Sequence, residues 1–174
     1  MKIPLPSDRL ILRYFEESDA GALFAYRSKP EVARYQLWEP FTESDARNFI
    51  NKYKAPFQPV SNEWYGLAIE INKTSEMIGD LAFKIEKEKN AAEVGFNLNP
   101  KFQGQGFATE AARMLIAFLN EEYQITQFFA VTDAENLQAQ RLLNRLKFHQ
   151  KDTIRKSVFT KGRWRDEIHW ILIK

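Results

Sequence analysis

The residues with the clearest chemical potential in this chain surround a pair of glycines. Gly104 and Gly106 stand in the run Gln103-Gly104-Gln105-Gly106-Phe107-Ala108-Thr109-Glu110-Ala111, where a strand-like segment gives way to a helical one. Glycine accepts a positive φ and lets the backbone come close to a ligand. The first amides of the following helix have no partner inside it, and with the helix dipole they favour an anion such as phosphate. A tight turn that holds nothing has the same two-glycine pattern, so the pattern alone leaves both readings open. Two other phosphate loops do not apply. A Walker loop needs Gly-x-x-x-x-Gly-Lys-Ser/Thr, which is absent. A dinucleotide fingerprint needs a third glycine where Thr109 stands, and a parallel strand before it.

Other chemistries are excluded by residue type. The chain has no cysteine, which removes disulfides, thiolate nucleophiles and thiolate metal sites. His149 and His169 lie twenty positions apart and make no metal pair of helical spacing, so no metal is expected.

The elements that must position the glycine turn read as follows. Residues 10–15 alternate as a first strand. Ser18-Asp19 opens a helix with Ala22, Leu23 and Tyr26 on one side, ending before Pro30. Thr42 and Asp45 resemble a capping box, followed by Ala46, Phe49, Ile50 and Tyr53 on one helical face. Trp64 to Ile71, Met77 to Ile85 and Ala92 to Leu98 are strand-like with short polar connections, which predicts an antiparallel meander stopped by Pro100. After the glycine turn comes a helix with Leu115, Phe118 and Leu119 inward. A strand follows to Thr132, then a helix capped by Asp133 with the stripe Ala139, Leu142, Leu143 and Leu146. Ile154 to Phe159 and Trp164 to Ile173 close the chain as two strands around Lys161-Gly162. Apolar residues on both faces of the last strand predict that both are covered. The order predicts a mixed sheet with helices packed on it, and a strand–helix–strand crossover at Gly104.

The bulk numbers suit one domain spanning residues 1–174. Lys and Arg total 25 against 23 Asp and Glu, a net +2, with 44% apolar and 14% aromatic residues. That balance excludes disordered and low-complexity classes. It is too even to signal a nucleic-acid partner, which needs clustered basic residues. The apolar-rich stretch Met114 to Leu119 is far shorter than the roughly 20 residues of a membrane span. The start, broken by Pro4 and Pro6, does not read as a signal peptide. A cytoplasmic protein without membrane contact is the expectation.

Pro100-x-x-x-Gly104-x-Gly106-x-Ala108-Thr109-Glu110-Ala111 resembles the acyl-CoA-binding motif of the GNAT superfamily. The wider pattern is similar to its ribosomal-protein N-terminal acetyltransferase branch (RimJ/RimL type). Arg9-Leu10-Ile11-Leu12-Arg13 with Ser18-Asp19-Ala20 resembles that branch's opening, and Ile78-Gly79-Asp80 its third strand. Glu93-Val94-Gly95-Phe96 resembles the strand before the loop, Asn136 to Phe148 the later helix and turn, and Gly162-Arg163-Trp164-Arg165-Asp166 the closing hairpin. The likeness runs from about Asp8 to Lys174.

The resemblance implies an α/β (α+β) GNAT fold: a mixed, mostly antiparallel sheet, splayed and flanked by helices. It implies acetyl-CoA as co-substrate, its pantetheine arm between Ala92–Leu98 and Gln127–Thr132 and hydrogen-bonded by backbone near Phe96 and Leu98. Gln103, Gly104, Gln105, Gly106, Phe107, Ala108 and Thr109 would hold the pyrophosphate, Asn136 would reach the pantetheine, and Arg141 would approach its outer part. Three positions depart from the family pattern. Lys101 stands where Gln or Arg is frequent, Lys147 where a glycine is frequent, and Ala139 where a serine proposed to protonate the leaving thiolate is common.

Acyl transfer to an amine needs a neutral amine, a held carbonyl and a tolerated thiolate. On the strand that the resemblance sets beside the thioester, Glu93 is the candidate base, and a salt-bridged strand acid is the competing reading. A backbone N–H near Phe96 would polarise the carbonyl. No side-chain acid stands out: Tyr123 reads as structural, His149 as a surface or core residue, and His169 as packed and hydrogen-bonded. Direct attack in a ternary complex follows. Trp38 and Trp164, with Tyr35 and Trp64, are the acceptor-side aromatics, while Arg34, Arg163 and Arg165 would suit an acidic acceptor. The acceptor is a small-molecule amine or a protein N-terminus. A CoA-binding sensor without turnover is the alternative. Homodimers are common in such folds, though no sequence feature specifies one here.

Overall fold

The computed structural model describes residues 3–56 and 62–174. Eight strands form one sheet in the order β1-β2-β3-β4-β5-β6-β8-β7. They are β1 (Leu5–Pro6), β2 (Leu10–Arg13), β3 (Trp64–Ile71), β4 (Glu76–Glu86), β5 (Ala91–Leu98), β6 (Gln127–Asp133), β7 (His149–Thr160) and β8 (Arg163–Ile173). The helices are α1 (Ala20–Arg27), α2 (Pro30–Ala33), α3 (Glu43–Tyr53), α4 (Phe107–Tyr123) and α5 (Leu137–Arg145). The strands β1 to β5 run antiparallel in sequence order, so the predicted meander stands. β5 and β6 are parallel neighbours joined through α4, as the crossover reading required.

Strand alternation sends successive side chains to opposite faces. Leu67, Ile69, Leu81, Phe83, Val94 and Phe128 meet Ala111, Leu115, Phe118 and Leu119 of α4 and Leu142 and Leu143 of α5 in the larger core. Ala68 and Met77 point the other way, into a second core with Leu23, Tyr26, Ala46 and Ile50 of α1 and α3. The α3 start is the predicted capping box: the Asp45 amide donates to Thr42 Oγ1 at 3.2 Å, and the Thr42 amide donates back to Asp45 Oδ2 at 2.9 Å.

The first helix stops at Arg27, before Pro30 as predicted, and the short separate helix α2 starts at Pro30, because proline is tolerated in a first turn. Two expectations need correction. The cap of α5 is Asn136, whose Oδ1 accepts the Ala139 amide at 3.2 Å, and not Asp133. Asp133 ends β6 and accepts the Glu135 amide at 2.8 Å. The last strand is fully covered on one face only: Ile168, Trp170 and Leu172 are buried, whereas on the other face His169 and Ile171 are half-buried and Ile173 is 70% exposed.

Candidate functional site

The site begins where two strands part. β5 and β6 pair through only three positions, Ala91↔Gln127, Ala92↔Phe128 and Glu93↔Phe129. Beyond these, β5 continues to Leu98 against β4 alone, and β6 continues to Asp133 against β8 alone. The free edges face each other.

The polarity of the β5 edge follows from its register. The Asn99 amide donates to the Ile78 carbonyl at 2.8 Å. In an antiparallel ladder alternate residues turn to the same partner. Asn97 and Gly95 therefore bond to β4, the Val94 amide is taken up by the last parallel bridge to β6 at Phe129, and the amides of Phe96 and Leu98 point into the opening. The Leu98 carbonyl, on that same side, accepts from Gln103 Nε2 at 3.2 Å.

At the head of the opening, Gly104 and Gly106 adopt φ of +77° and +84°. Gly106 is the N-cap of α4, and its carbonyl accepts the first intrahelical bond, from the Glu110 amide at 3.0 Å. The amides from Gly104 to Thr109 have no acceptor among the described residues. Six free N–H groups at a helix N-terminus constitute an anion cradle.

Parting strands and cradle open into one cavity of about 950 Å³. Of the sequence-predicted residues, Phe96, Leu98, Gln103, Gly104, Gly106, Phe107, Ala108, Thr109, Asn136, Arg141 and Trp38 line it. Tyr35 and Trp64 line it as well. At the α5 end Arg141 and Arg145 are exposed, without an acidic partner among the described residues. Edge amides, cradle amides and two free guanidinium groups fit a thioester-bearing nucleotide: a strand-like arm, a pyrophosphate and outer phosphate charge. Among the described residues no group of three or more acids or histidines is arranged to hold a metal ion.

Several predicted residues sit elsewhere. Gln105 turns its side chain to the Lys101 carbonyl at 3.2 Å and lines no part of the cavity. Trp164 is also outside the wall: it pairs with Phe159 beside the β7–β8 turn, ring centroids 5.5 Å apart, and is 56% exposed. Glu93 shares the face of Gly95 and Asn97 but stops short of the cavity, with its carboxylate 3.0 Å from Lys84 Nζ. Arg163 and Arg165 are not free for an acidic acceptor. Arg163 pairs with Glu135 at 2.9 Å, and buried Arg165 bonds to Asp133, which raises the guanidinium pKa. His169 is not fully hydrogen-bonded, since its buried Nε2 lacks a partner. Ala139 lines the wall with a methyl group and offers no proton.

Sequence reasoning missed the floor of the acceptor end. Asp80, 1% exposed, accepts from Arg27 Nη2 at 2.6 Å, from Asn97 Nδ2 at 3.1 Å and from the Tyr26 hydroxyl. Burial works against the charge on Arg27, yet Asp80 outweighs it and raises the guanidinium pKa. The guanidinium lies 4.9 Å from the Trp38 centroid and 4.3 Å from that of Phe49. Gly79 makes room for this arrangement, because a Cβ there would sit 2.4 Å from the Asn97 carbonyl oxygen. The Ile78-Gly79-Asp80 motif was the available signal, but nothing in it names its three donors.

Comparison with known proteins agrees with this geometry. Residues 9–149 match the family model described as the acetyltransferase (GNAT) domain. The chain is 34% identical, over 98% of its length and 96% of the other's, to the uncharacterized N-acetyltransferase p20 of Bacillus licheniformis. It is 25% identical, over 96% of its length and 89% of the other's, to the [ribosomal protein uS5]-alanine N-acetyltransferase of Escherichia coli. Its fold is similar to the microcin C7 self-immunity acetyltransferase MccE, solved with acetyl-CoA and AMP. There the TM-score is 0.84 at 20% identity, covering 97% of this chain and 94% of that one. The parted strands and the amide cradle are thus those of a family fold, and the chain belongs to the GNAT family of acetyl-CoA-dependent N-acetyltransferases.

Proposed function

We propose that this enzyme acetylates a primary amine by direct attack in a ternary complex with acetyl-CoA, in a cytoplasmic setting. The observation that carries the reading is the end of β5–β6 pairing at Glu93↔Phe129, next to the unused amides of Gly104 to Thr109. The Phe96 and Leu98 amides receive the pantetheine arm as an added strand would. The loop amides take the pyrophosphate, Asn136 reaches the arm, and Arg141 and Arg145 meet its outer phosphate charge.

The amine enters from the end walled by Tyr35, Trp38 and Trp64. Its nitrogen forms a bond to the thioester carbonyl carbon, an opening-facing amide of β5 holds the oxygen, and the carbon–sulfur bond breaks. One proton leaves the amine, and the departing thiolate takes up a proton from solvent, since Ala139 has none to give. Glu93 receives the amine proton through water, supported by its place on the acceptor face two residues from Gly95.

A protein N-terminus is the first acceptor to test, because one relative acts on the alanine of a ribosomal protein. Small-molecule amines are the second. Arg163 and Arg165 are already neutralised by Asp133 and Glu135, which disfavours an acidic acceptor. The competing reading, a CoA-binding sensor, is favoured by Ala139 alone.

The deciding experiment supplies acetyl-CoA with panels of N-terminal peptides, polyamines and aminoglycosides, and follows released CoA. Multiple turnovers with one amine class are expected. CoA binding without turnover on any of them would replace the transferase by the sensor.

A further inference from the structure

A charged clamp ties the start of the chain to the anion cradle. Arg9, just before β2, and Glu110, in the first turn of α4, are 101 residues apart, yet Arg9 Nε donates to Glu110 Oε2 at 2.7 Å, and Nη2 donates to the same oxygen. The other carboxylate oxygen accepts from Ser7 Oγ at 2.7 Å. Arg9 Nη1 donates to the Gln105 carbonyl at 3.1 Å, and the guanidinium lies 4.7 Å from the Phe107 ring centroid.

Two consequences follow for an anion at the loop. A carboxylate in the first turn stabilises the helix but repels a phosphate drawn to the same end. Arg9 cancels that charge. Secondly, the C=O of one residue and the N–H of the next point in opposite directions across a planar trans peptide. A Gln105 carbonyl held by Arg9 therefore fixes the Gly106 N–H on the far side, toward the cavity that Gly106 lines.

We infer that Arg9 is a positioning residue for the pyrophosphate: it neutralises Glu110 and aims the Gly106 amide without touching the ligand itself. The inference rests on the acetyl-CoA reading of the cavity. It assigns a binding function to Arg9 in the N-terminal Arg9-Leu10-Ile11-Leu12-Arg13 segment, whose Arg13 is instead engaged with Asp19 and Glu70.

Calorimetric titration of the full chain with CoA tests it, in the wild type, Arg9→Gln, Arg9→Lys and Arg9→Gln/Glu110→Gln. Arg9→Gln should weaken CoA roughly five- to tenfold at low salt, the cost of an uncancelled acid at a helix terminus. Arg9→Lys keeps the charge but not the fork, and should fall between the two. The informative variant is the double, which removes the repelling acid with its partner and should regain more than half of the logarithmic loss. A purely structural clamp would leave the double at least as weak as the single. Thermal melts of each variant separate loss of fold from loss of affinity, and Arg9, with a side chain 47% exposed, is expected to tolerate replacement. Unchanged CoA affinity in a folded Arg9→Gln, or no recovery in the double, would overturn the inference while leaving the transferase reading intact. A wild-type chain that does not bind CoA would overturn both.

Discussion

Arg27 and Asp80 form an ion pair inside the protein, Nη2 to Oδ1 2.6 Å, with side chains 4% and 1% exposed. The pair joins α1 to β4 directly under the acceptor end of the cavity. Removing one partner of a buried pair strands the other charge, typically at a cost of about 3–5 kcal/mol. Asp80→Asn should therefore lower stability by about that much in urea titrations. Because Asn97 also leans on Asp80, the variant should raise KM for the acceptor amine more than KM for acetyl-CoA. A loss below about 1 kcal/mol would mean that the surrounding rings, not Asp80, hold Arg27.

Tyr26 adds a pH signature to the same cluster. Burial first, and then the charge of Asp80, push its hydroxyl well above the ordinary tyrosine value of 10.0. Between that value and its folded pKa the folded chain keeps a proton that the unfolded chain has lost, so stability falls as pH rises. The contribution is complete below about pH 10 and is lost above it. Urea midpoints measured from pH 8 to 11 should decline on the alkaline side, and Tyr26→Phe should flatten the decline. An unaltered slope would assign it to other groups.

Gly106 carries a local backbone requirement that the acetyl-CoA site depends on. At φ +84° an L-residue costs roughly 1–2 kcal/mol. A Cβ there would make only ordinary contact with Arg9 Nη2, at 3.5 Å, so the cost lies in the backbone. Gly106→Ala should thus raise KM for acetyl-CoA about tenfold as the first amides of α4 lose their aim. Gly21→Ala in α1 meets nothing within 4 Å and should hold or slightly gain stability, as alanine suits helices better than glycine. Equal effects of the two changes would remove the special status of the turn.

Much of this was legible in the sequence because it is periodic or local. The meander, the stripes of α4 and α5 and the Thr42–Asp45 box come from side-chain spacing that tertiary structure cannot easily overrule. Gly104 and Gly106 were legible because few other residues accept their φ. The parity of the β5 edge at Phe96 and Leu98 came from the family resemblance and not from spacing, since it depends on which residues β4 engages. The Asp80 hub was not legible, because its donors at positions 26, 27 and 97 come from three separate elements. Asp133 illustrates the limit: it satisfies the rules for a cap, but Arg165 claims it and the cap moves to Asn136. Trp164 fails for a related reason, because the hairpin register sets it beside Phe159, outside the cavity.

The two tryptophans give a direct comparison. Trp38 lines the cavity and packs edge-on to Phe41, centroids 5.0 Å apart, while Trp164 stands outside. Trp38→Ala should raise acceptor KM severalfold or more, as loss of an aromatic wall commonly does. Trp164→Ala should leave small-amine kinetics within about twofold. If Trp164→Ala impairs only peptide acceptors, the exposed hairpin face contacts the peptide beyond its first residues, which would favour a protein substrate.

Glu93 is the last residue of β5 to pair with β6, so it marks the point at which the strands part. Its carboxylate is 3.0 Å from Lys84 Nζ, and Lys84 lies 5.1 Å from the Trp64 ring centroid, so the pair borders the acceptor wall without entering it. If Glu93 accepts the amine proton through water, Glu93→Gln should lower kcat and move the pH optimum upward, because the amine must then lose its proton unaided. Lys84→Gln breaks the same ion pair but keeps the carboxylate, and should leave the pH optimum near that of the wild type. A shared shift in both variants would make the ion pair structural. An unchanged pH–rate profile in Glu93→Gln would take Glu93 out of the mechanism and leave proton removal to solvent.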